Sequence, residues 1–216
     1  GSGTVSQIGP GVKEIKPKDK VILHWRKSLG IESDLPLYKW KNHKLNAGWV
    51  TTFNEYAIVS ENRCTPIPKD SDMRVACLFG CAVPTGFGVV ENSACLKIGE
   101  SVVVFGAGGI GLNIIQASEL VSAHPIIAID VHKSRLDLAV EMGASHTINS
   151  RNQDVKQAIT EITKGKGVDS FIDNTGIPKI IELGYELTKT DGKVVLVGVP
   201  SKNNNISIYS LPLHFG

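Results

Sequence analysis

Apolar and polar positions follow two different patterns along this chain of 216 residues. From about residue 92 onward, short β-branched runs alternate with stretches whose apolar positions recur at helical spacing. Such alternation is typical of parallel strands joined by helical crossovers. We therefore predict an α/β domain with a doubly wound parallel sheet over residues 92–216.

Five strands and four helices are predicted in this domain. The strands are Ser101–Phe105, Ile126–Ile129, His146–Ile148, Asp169–Ile172 and Lys193–Val197. The helices are Gly109–Ser122, Lys133–Met142, Val155–Thr163 and Pro178–Leu187. Stop signals support these limits, because glycine follows the second and third helices and Asp191-Gly192 precedes the last strand.

The first 91 residues show short strand-like runs between turns that are rich in proline and glycine. This pattern predicts a partial β-barrel. The run Phe53–Val59 alternates apolar and polar positions and is predicted to be a half-buried strand. The segment from Arg26 to Trp49 is the least regular, and we expect an excursion loop there, packed down by its aromatic residues Tyr38, Trp40 and Trp49.

A glycine motif follows the first predicted strand of the α/β domain. In this G-x-G-x-x-G motif, Gly106 permits a tight turn, Gly108 lets the backbone approach a pyrophosphate, and Gly111 lets the helix pack closely on the sheet. The next strand ends in Asp130, nineteen residues after Gly111, where a carboxylate can accept both ribose hydroxyls and repel a 2′-phosphate. Strand, turn, helix, strand and acid in this order indicate dinucleotide binding, with NAD favoured over NADP.

Composition and charge exclude several other classes of protein. Hydrophobic content of 42% and charged content of 20% are typical of a soluble globular protein. A net charge of +2 with scattered basic residues does not indicate nucleic-acid binding. No apolar run approaches the roughly 18 residues that span a bilayer, so no membrane association is expected. The cysteines Cys64, Cys77, Cys81 and Cys95 suggest no disulfide framework, and a cytoplasmic location is expected.

Three further motifs give the chain a family resemblance. Together with the glycine loop, G-C-A-V-P-T-G at residues 80–86, the strand ending Ile129-Asp130 and V-G-V-P at residues 197–200 resemble the medium-chain dehydrogenase/reductase superfamily, and within it the zinc-type alcohol dehydrogenases. The resemblance implies that residues 1–91 are part of a GroES-like catalytic domain. It also implies that residues 92–216 are an NAD-binding Rossmann domain without its last strand, so that the chain is expected to be an internal fragment.

The resemblance also assigns roles to individual residues. Cys81 aligns with a ligand of the catalytic zinc, and Thr85 with a residue that touches the nicotinamide ring; these two are the expected catalytic residues. The expected cofactor-binding set is Thr85, Gly106, Gly108, Gly109, Ile110, Gly111, Asp130, Arg135, Thr175, Val197 and Val199. Within this set, Ile110 would press on the nicotinamide ring and Arg135 would face the adenosine ribose.

The resemblance implies a zinc-assisted hydride transfer between NAD and a small alcohol, aldehyde or ketone. The catalytic zinc would take its other ligands from outside this sequence, so no turnover is expected from these 216 residues alone. A structural zinc is not expected, because the family's four closely spaced cysteines are lacking between Leu23 and Arg63. No histidine is assigned to a metal. Relatives are usually dimers or tetramers, and the same is expected of the parent enzyme.

Two other functions remain open from the sequence. A zinc-free quinone or enoyl reductase of the same superfamily would share the fold, although such enzymes usually lack a cysteine at the position of Cys81 and often prefer NADPH. A non-catalytic NAD-binding module would keep the glycine loop and Asp130 without the remaining zinc ligands. A zinc-ligating histidine and cysteine upstream of Gly1 would separate the first hypothesis from both of these.

Overall fold

The computed structural model describes residues 1–211 of the chain. It divides into two compact units, of which the first is Gly1–Pro84 and the second begins at Thr85. Among residues 1–211 no single helix is long and apolar enough to cross a membrane. The segments Met73–Gly80 and Ala82–Ala94 reach the required length and composition only when they are counted together, and the chain bends between them.

The first unit is built from short strands and short helical segments. Its strands are β1 (Ser2–Thr4), β2 (Lys20–Leu23), β3 (Leu37–Trp40), β4 (His43–Asn46) and β5 (Cys64–Pro66). Strands β1, β2 and β5 form an antiparallel sheet in that order, and β3 pairs with β4 as a separate hairpin. The helical segments are two 3₁₀ turns, Glu61–Arg63 and Cys77–Gly80, and the helix α1 (Met73–Ala76).

Two expectations for this unit were wrong. The segment predicted to be an irregular loop, Arg26 to Trp49, contains the β3–β4 hairpin, which turns tightly at Lys41 in a left-handed conformation. The predicted strand Phe53–Val59 has no regular secondary structure, and the Phe53 side chain is fully exposed. In place of a hydrogen bond to a neighbouring strand, the Ile58 amide donates to the Tyr38 hydroxyl over 2.9 Å.

Two buried charged residues hold the loop around the hairpin. The Glu61 carboxylate accepts hydrogen bonds from the amides of Glu14, Ile31 and Lys13, which lower its pKa. The Arg63 guanidinium donates to Glu32 over 2.8 Å and to the Trp25 carbonyl, and it lies over the rings of Trp25 and Trp49. Trp40, by contrast, makes its ring contacts with Lys41 and His43 of its own hairpin.

The second unit contains a five-stranded parallel sheet between two layers of helices. Its strands are β6 (Val102–Phe105), β7 (Ile126–Asp130), β8 (His146–Asn149), β9 (Val168–Asp173) and β10 (Thr188–Leu196), in the order β10-β9-β6-β7-β8. Its helical elements are α2 (Ala82–Gly88), a π-helical segment (Val89–Ala94), α3 (Gly109–Leu120), α4 (Lys133–Glu141), α5 (Val155–Ile162) and α6 (Pro178–Leu187). The first residues of α2 belong to the first unit. The doubly wound α/β fold predicted for this region is confirmed.

Alternation of strand residues places one apolar layer on each face of the sheet. Val102 and Val104 of β6 pack with Ile114 of α3 and Leu136 of α4 on one face. On the other face, Val103 and Phe105 pack with residues of α5 and α6. Both faces are covered, and for this reason the central strands are apolar at almost every position.

The predicted strands and helices of this sheet are all present, with one difference at β10. Asp191-Gly192 was expected to precede the last strand, but the strand begins earlier, at Thr188. The pairing of β10 with β9 shifts in register between Thr188 and Lys193, and Asp191 takes a positive φ of 62° within that shift. Asp191-Gly192, a pair typical of turns, therefore lies in an irregularity within β10 and does not mark the start of that strand.

Candidate functional site

The predicted glycine loop lies at the carboxyl end of β6, the central strand of the sheet. Gly106 leaves the strand with a φ of +98°, a conformation that side-chain-bearing residues rarely adopt. Gly108 precedes α3, which begins at Gly109 and whose first amides are not paired within the helix. The partial positive charge of this helix end makes the loop a suitable binding site for phosphate groups.

Gly111 is required for the close contact between α3 and the loop. A Cβ atom at Gly111 would overlap the carbonyl oxygen of Gly106, whereas a Cβ at Gly108 would meet no atom within 4 Å. The two glycines therefore differ in what they accommodate. Gly111 accommodates the protein's own backbone, and Gly108 leaves space beside the loop for a ligand.

Asp130 ends β7 and connects that strand to the glycine loop. One of its carboxylate oxygens accepts a hydrogen bond from the Ala107 amide, and the other accepts one from the His132 amide, each over 2.9 Å. The Arg135 guanidinium approaches the same carboxylate at 3.4 Å and is 51% exposed, while the Asp130 side chain is 4% exposed. The structure thus brings together three of the predicted cofactor-binding elements: the glycine loop, Asp130 and Arg135.

A second acidic residue, Asp173, organises the loop after β9. Its fully buried carboxylate accepts hydrogen bonds from the Thr175 amide and hydroxyl, over 2.9 and 2.6 Å, and from the Gly176 amide over 2.9 Å. Its carbonyl accepts the amides of Val197 and Gly198. Sequence reasoning missed Asp173, although an acid at the end of an apolar run, followed by Asn-Thr-Gly, is a recognisable turn signal.

Asn174, the next residue, was also missed. Its side-chain amide nitrogen lies 3.4 Å from the carbonyl oxygen of Gly106, and its Cβ lies 3.3 Å from where a Cβ of Gly106 would be. Its side-chain oxygen is buried and has no hydrogen-bond partner among residues 1–211. Asn174 therefore joins the loop after β9 to the glycine loop after β6.

The other predicted cofactor-binding residues of the second unit lie on the loops after β9 and β10, on α3 and on α2. Thr175, Val197 and Val199 lie on the loops after β9 and β10, where Val197 is half-buried against the core and Val199 is 90% exposed. Ile110 lies in the first turn of α3 and packs partly against the same core. Thr85 is half-buried on α2 and precedes Gly86, whose Cα approaches Asn113 of α3 so closely that a side chain would collide.

Cys81 lies in the first unit and is exposed. Its backbone (φ −155°, ψ −64°) separates the 3₁₀ turn Cys77–Gly80 from α2, so Cys77 and Cys81 do not share one continuous helix. Cys64 is buried, and burial together with the nearby Glu61 charge raises the pKa of its thiol to about 11. In the absence of a metal ion the Cys64 thiol is therefore protonated near neutral pH.

The described residues do not bring enough ligands together for a zinc ion. Within residues 1–211, no three His, Cys, Asp or Glu side chains are grouped so that they could hold a metal ion. Cys81 by itself can supply one thiolate ligand, whereas a catalytic zinc has three protein ligands. The described residues consequently do not form a complete zinc site.

The strand order and the loop geometry together define a class of domain. The second unit is a doubly wound domain of the Rossmann type, with a glycine-rich turn at the end of its central strand. The model of the zinc-binding dehydrogenase family matches residues 109–215. With the relatives and solved structures given below, this match shows that the chain belongs to the zinc-type alcohol dehydrogenases of the medium-chain dehydrogenase/reductase superfamily.

Two curated relatives illustrate the similarity. An S-(hydroxymethyl)glutathione dehydrogenase of Synechocystis sp. is 38% identical over 160 residues, which are 73% of this chain and 43% of that protein. The alcohol dehydrogenase class-2 isozyme 2 of Oryctolagus cuniculus is 29% identical over an alignment of 247 residues that covers 100% of this chain and 65% of the relative. The chain thus spans less than two thirds of the length of these curated relatives.

Solved structures show the same relationship. The benzyl alcohol dehydrogenase of Acinetobacter calcoaceticus superimposes with a TM-score of 0.84 at 30% identity, over 99% of this chain and 64% of that one. An alcohol dehydrogenase zinc-binding domain protein from Burkholderia ambifaria gives the same TM-score and identity, over 100% of this chain and 65% of that one.

Proposed function

We propose that this chain forms the coenzyme-binding part of an NAD-dependent alcohol dehydrogenase, which transfers a hydride between NAD and an alcohol, aldehyde or ketone. The relatives and solved structures with which it aligns are named as alcohol or S-(hydroxymethyl)glutathione dehydrogenases. The proposed substrate is a small molecule, and the proposed location of the enzyme is the cytoplasm. The observation that carries the proposal is the hydrogen-bonded connection between Asp130 and the glycine loop.

This connection supports NAD in particular. The carboxylate of Asp130 is held in place by two backbone amides and has acceptor capacity left on the oxygen that faces His132. Arg135 can move aside, because its side chain is half exposed and its contact with Asp130 is long. Both ribose hydroxyls of an adenosine could then donate to the carboxylate, whereas a 2′-phosphate would meet a buried negative charge.

The order of the strands supports an orientation of the whole cofactor. Asp130 ends β7 on one side of the central strand β6, and Thr175 follows β9 on the other side. With the pyrophosphate at the first turn of α3 and the adenosine ribose at Asp130, the nicotinamide half would extend toward the loops after β9 and β10. We therefore propose Thr175, Val197 and Val199 as contacts of that half, with Thr85 and Ile110 directed to the nicotinamide ring.

Zinc assistance is a separate part of the proposal. We propose Cys81 as the zinc-ligating thiolate that this chain contributes, since it is exposed and lies between two helical segments within the G-C-A-V-P-T-G motif. No complete metal site is present among residues 1–211, so Cys81 would be one of several ligands of such a zinc ion. For the parent enzyme we propose a homodimer or homotetramer, as the family resemblance implies.

Calorimetric titration of the chain with NAD⁺ and NADP⁺ tests the cofactor assignment. We expect saturable binding of NAD⁺ and at least tenfold weaker binding of NADP⁺. Equal affinities, or binding of NADP⁺ alone, would contradict the role given to Asp130. A wild-type chain that binds neither nucleotide would overturn the proposed function as a whole.

A further inference from the structure

Gly106, the first residue of the glycine loop, is held from both neighbouring strands. Its amide donates over 2.7 Å to the Ile129 carbonyl of β7. Its carbonyl oxygen lies 3.4 Å from the side-chain nitrogen of Asn174, which follows β9. The Asn174 amide also donates over 2.9 Å to the Phe105 carbonyl, so the position of Asn174 is fixed by the end of β6 itself.

The direction of the Gly106 carbonyl matters for phosphate binding. Its oxygen lies so close to Gly111 that no side chain fits there, which means that the oxygen points beneath the first turn of α3. A carbonyl oxygen carries partial negative charge and would repel a phosphate, whereas backbone N–H groups attract one. The amides of Gly106 and Ala107 already donate to Ile129 and Asp130. With the Gly106 carbonyl turned inward, the amides at the start of α3 are the groups that face an incoming pyrophosphate.

The side chain of Asn174 is suited to hold that carbonyl. Its nitrogen lies 3.5 Å from where a Cβ of Gly111 would be, so the amide lies beside Gly111 as well as Gly106. The opposite side-chain orientation would place an amide oxygen against the carbonyl oxygen of Gly106. The observed orientation leaves the amide oxygen buried without a hydrogen bond among the described residues, which is unfavourable for stability. An apolar residue of similar size would avoid this cost but could not donate to the Gly106 carbonyl.

We propose that Asn174 is a positioning residue of the pyrophosphate site: its amide donates to the Gly106 carbonyl and keeps that carbonyl turned away from the phosphates. This inference rests on the proposed function, because it concerns the same dinucleotide. It assigns Asn174 no contact with the reacting atoms. It predicts that Asn174 affects the affinity for pyrophosphate-containing ligands more than the affinity for adenosine, which lacks phosphate.

Two variants test the proposal, with a matched control at the same edge of the sheet. Asn174→Ala removes the donor, and Asn174→Asp replaces it with a carboxylate that faces the Gly106 carbonyl. The control is Asn149→Ala, since Asn149 ends β8 and its side chain bonds only to the backbone of Arg151 among the described contacts. The Kd for NAD⁺ is measured by calorimetry and that for adenosine by ligand-observed NMR, and circular dichroism checks the fold of each variant.

We expect Asn174→Ala to weaken NAD⁺ binding by about three- to tenfold, the effect of losing one hydrogen bond, with adenosine binding unchanged. Asn174→Asp should weaken NAD⁺ binding more at about pH 8 and regain part of it toward about pH 5, because a protonated carboxyl can again donate to the carbonyl. Asn149→Ala should bind both ligands like the wild type. If Asn174→Asp does not fold, Asn174→Ala still decides the question.

The outcomes separate the two proposals. A wild type that does not bind NAD⁺ refutes the proposed function, and with it the basis for a role of Asn174. A wild type that binds NAD⁺ while both Asn174 variants bind it equally well leaves the function intact and refutes the role of Asn174. Equal weakening for NAD⁺ and adenosine also refutes it, because this would be the signature of a general loss of structure.

Discussion

Asp130 accepts a hydrogen bond from the backbone amide of Ala107, and this bond of 2.9 Å ties the end of β7 to the glycine loop after β6. One residue therefore takes part in two tasks. It orders the backbone that would bind phosphate, and it offers a carboxylate where the adenosine ribose would lie. Ligand affinity and loop order should consequently respond together when the carboxylate is changed.

Asp130→Asn should weaken NAD⁺ binding by about ten- to hundredfold, because hydrogen bonds to a charged group contribute roughly 1.5–3 kcal/mol. The affinity for NADP⁺ should fall less or rise, since the negative charge that repels a 2′-phosphate is gone. Calorimetric titration with both nucleotides measures the change in preference. Asp137→Asn is the matched control, because Asp137 is exposed and pairs with Lys133 on α4. An unchanged preference in Asp130→Asn would contradict the assignment.

Alanine substitutions at Gly108 and Gly111 should separate ligand binding from stability. Gly111→Ala would force Gly106 and α3 apart, and we expect a loss of about 1–3 kcal/mol in the free energy of unfolding together with weaker NAD⁺ binding. Gly108→Ala has open space around its Cβ, so it should weaken NAD⁺ binding with little change in stability. Chemical denaturation and calorimetry measure the two effects, and equal loss of stability in both variants would contradict this account.

The parts of the site that sequence could predict are those whose signals lie close together in the chain. The turn at Gly106, the start of α3 and the acid at the end of β7 each follow from a local pattern. Asn174 acts on a loop 68 residues earlier in the chain, and this contact exists because β9 lies beside β6. Strand order is a property of the folded sheet, and no local pattern around Asn174 reveals it.

Predictions of secondary structure failed where another contact replaced the usual strand pairing. The alternating run Phe53–Val59 has the pattern of a strand, yet its Ile58 amide is satisfied by the Tyr38 hydroxyl. At β10, Asp191-Gly192 has the composition of a turn, but parallel pairing with β9 resumes at Lys193 after the register shift. In both places a contact from a distant part of the chain outweighs the local preference.

Asp169 should make the stability of the second unit depend on pH in the acid range. Partial burial opposes ionisation of its carboxyl, but hydrogen bonds from Lys189 and Ser101 prevail and hold its pKa below the usual 3.8. Because the folded-state pKa is lowered, the carboxylate stabilises the fold above its unfolded-state pKa, and this contribution is lost as the pH falls through the folded-state value. Asp169→Asn should therefore lower the Tm near neutral pH.

The difference in Tm between wild type and Asp169→Asn should shrink as the pH falls below about 4, the unfolded-state pKa, because from there downward the unfolded wild type takes up a proton more readily than the folded protein does. Thermal unfolding followed by circular dichroism across the pH range measures this difference. Asp154→Asn is a control, since the Asp154 side chain accepts only the Gln157 amide at the start of α5 among the described contacts. A difference in Tm for Asp169→Asn that stays constant down to about pH 2 would rule out the ionised carboxylate as its cause.

Arg63, rather than Trp40, should control the order of the loop between Trp25 and Trp49. The Arg63 side chain is 5% exposed, whereas Trp40 is 57% exposed. Arg63→Met keeps a long side chain but removes the hydrogen bonds to Glu32 and to the Trp25 carbonyl. We expect faster cleavage of this loop by thermolysin in Arg63→Met, because the released segment can enter a protease more readily.

Trp40→Ala is the comparison that decides between the two residues, since it truncates a large aromatic ring whose contacts lie within the hairpin. Its loop should be cleaved at nearly the wild-type rate, with fragments identified by mass spectrometry. The opposite result, rapid cleavage in Trp40→Ala and wild-type resistance in Arg63→Met, would show that the aromatic hairpin orders the loop. In that case the expectation that aromatic packing holds the loop down would be correct for Trp40, and the buried guanidinium would be dispensable.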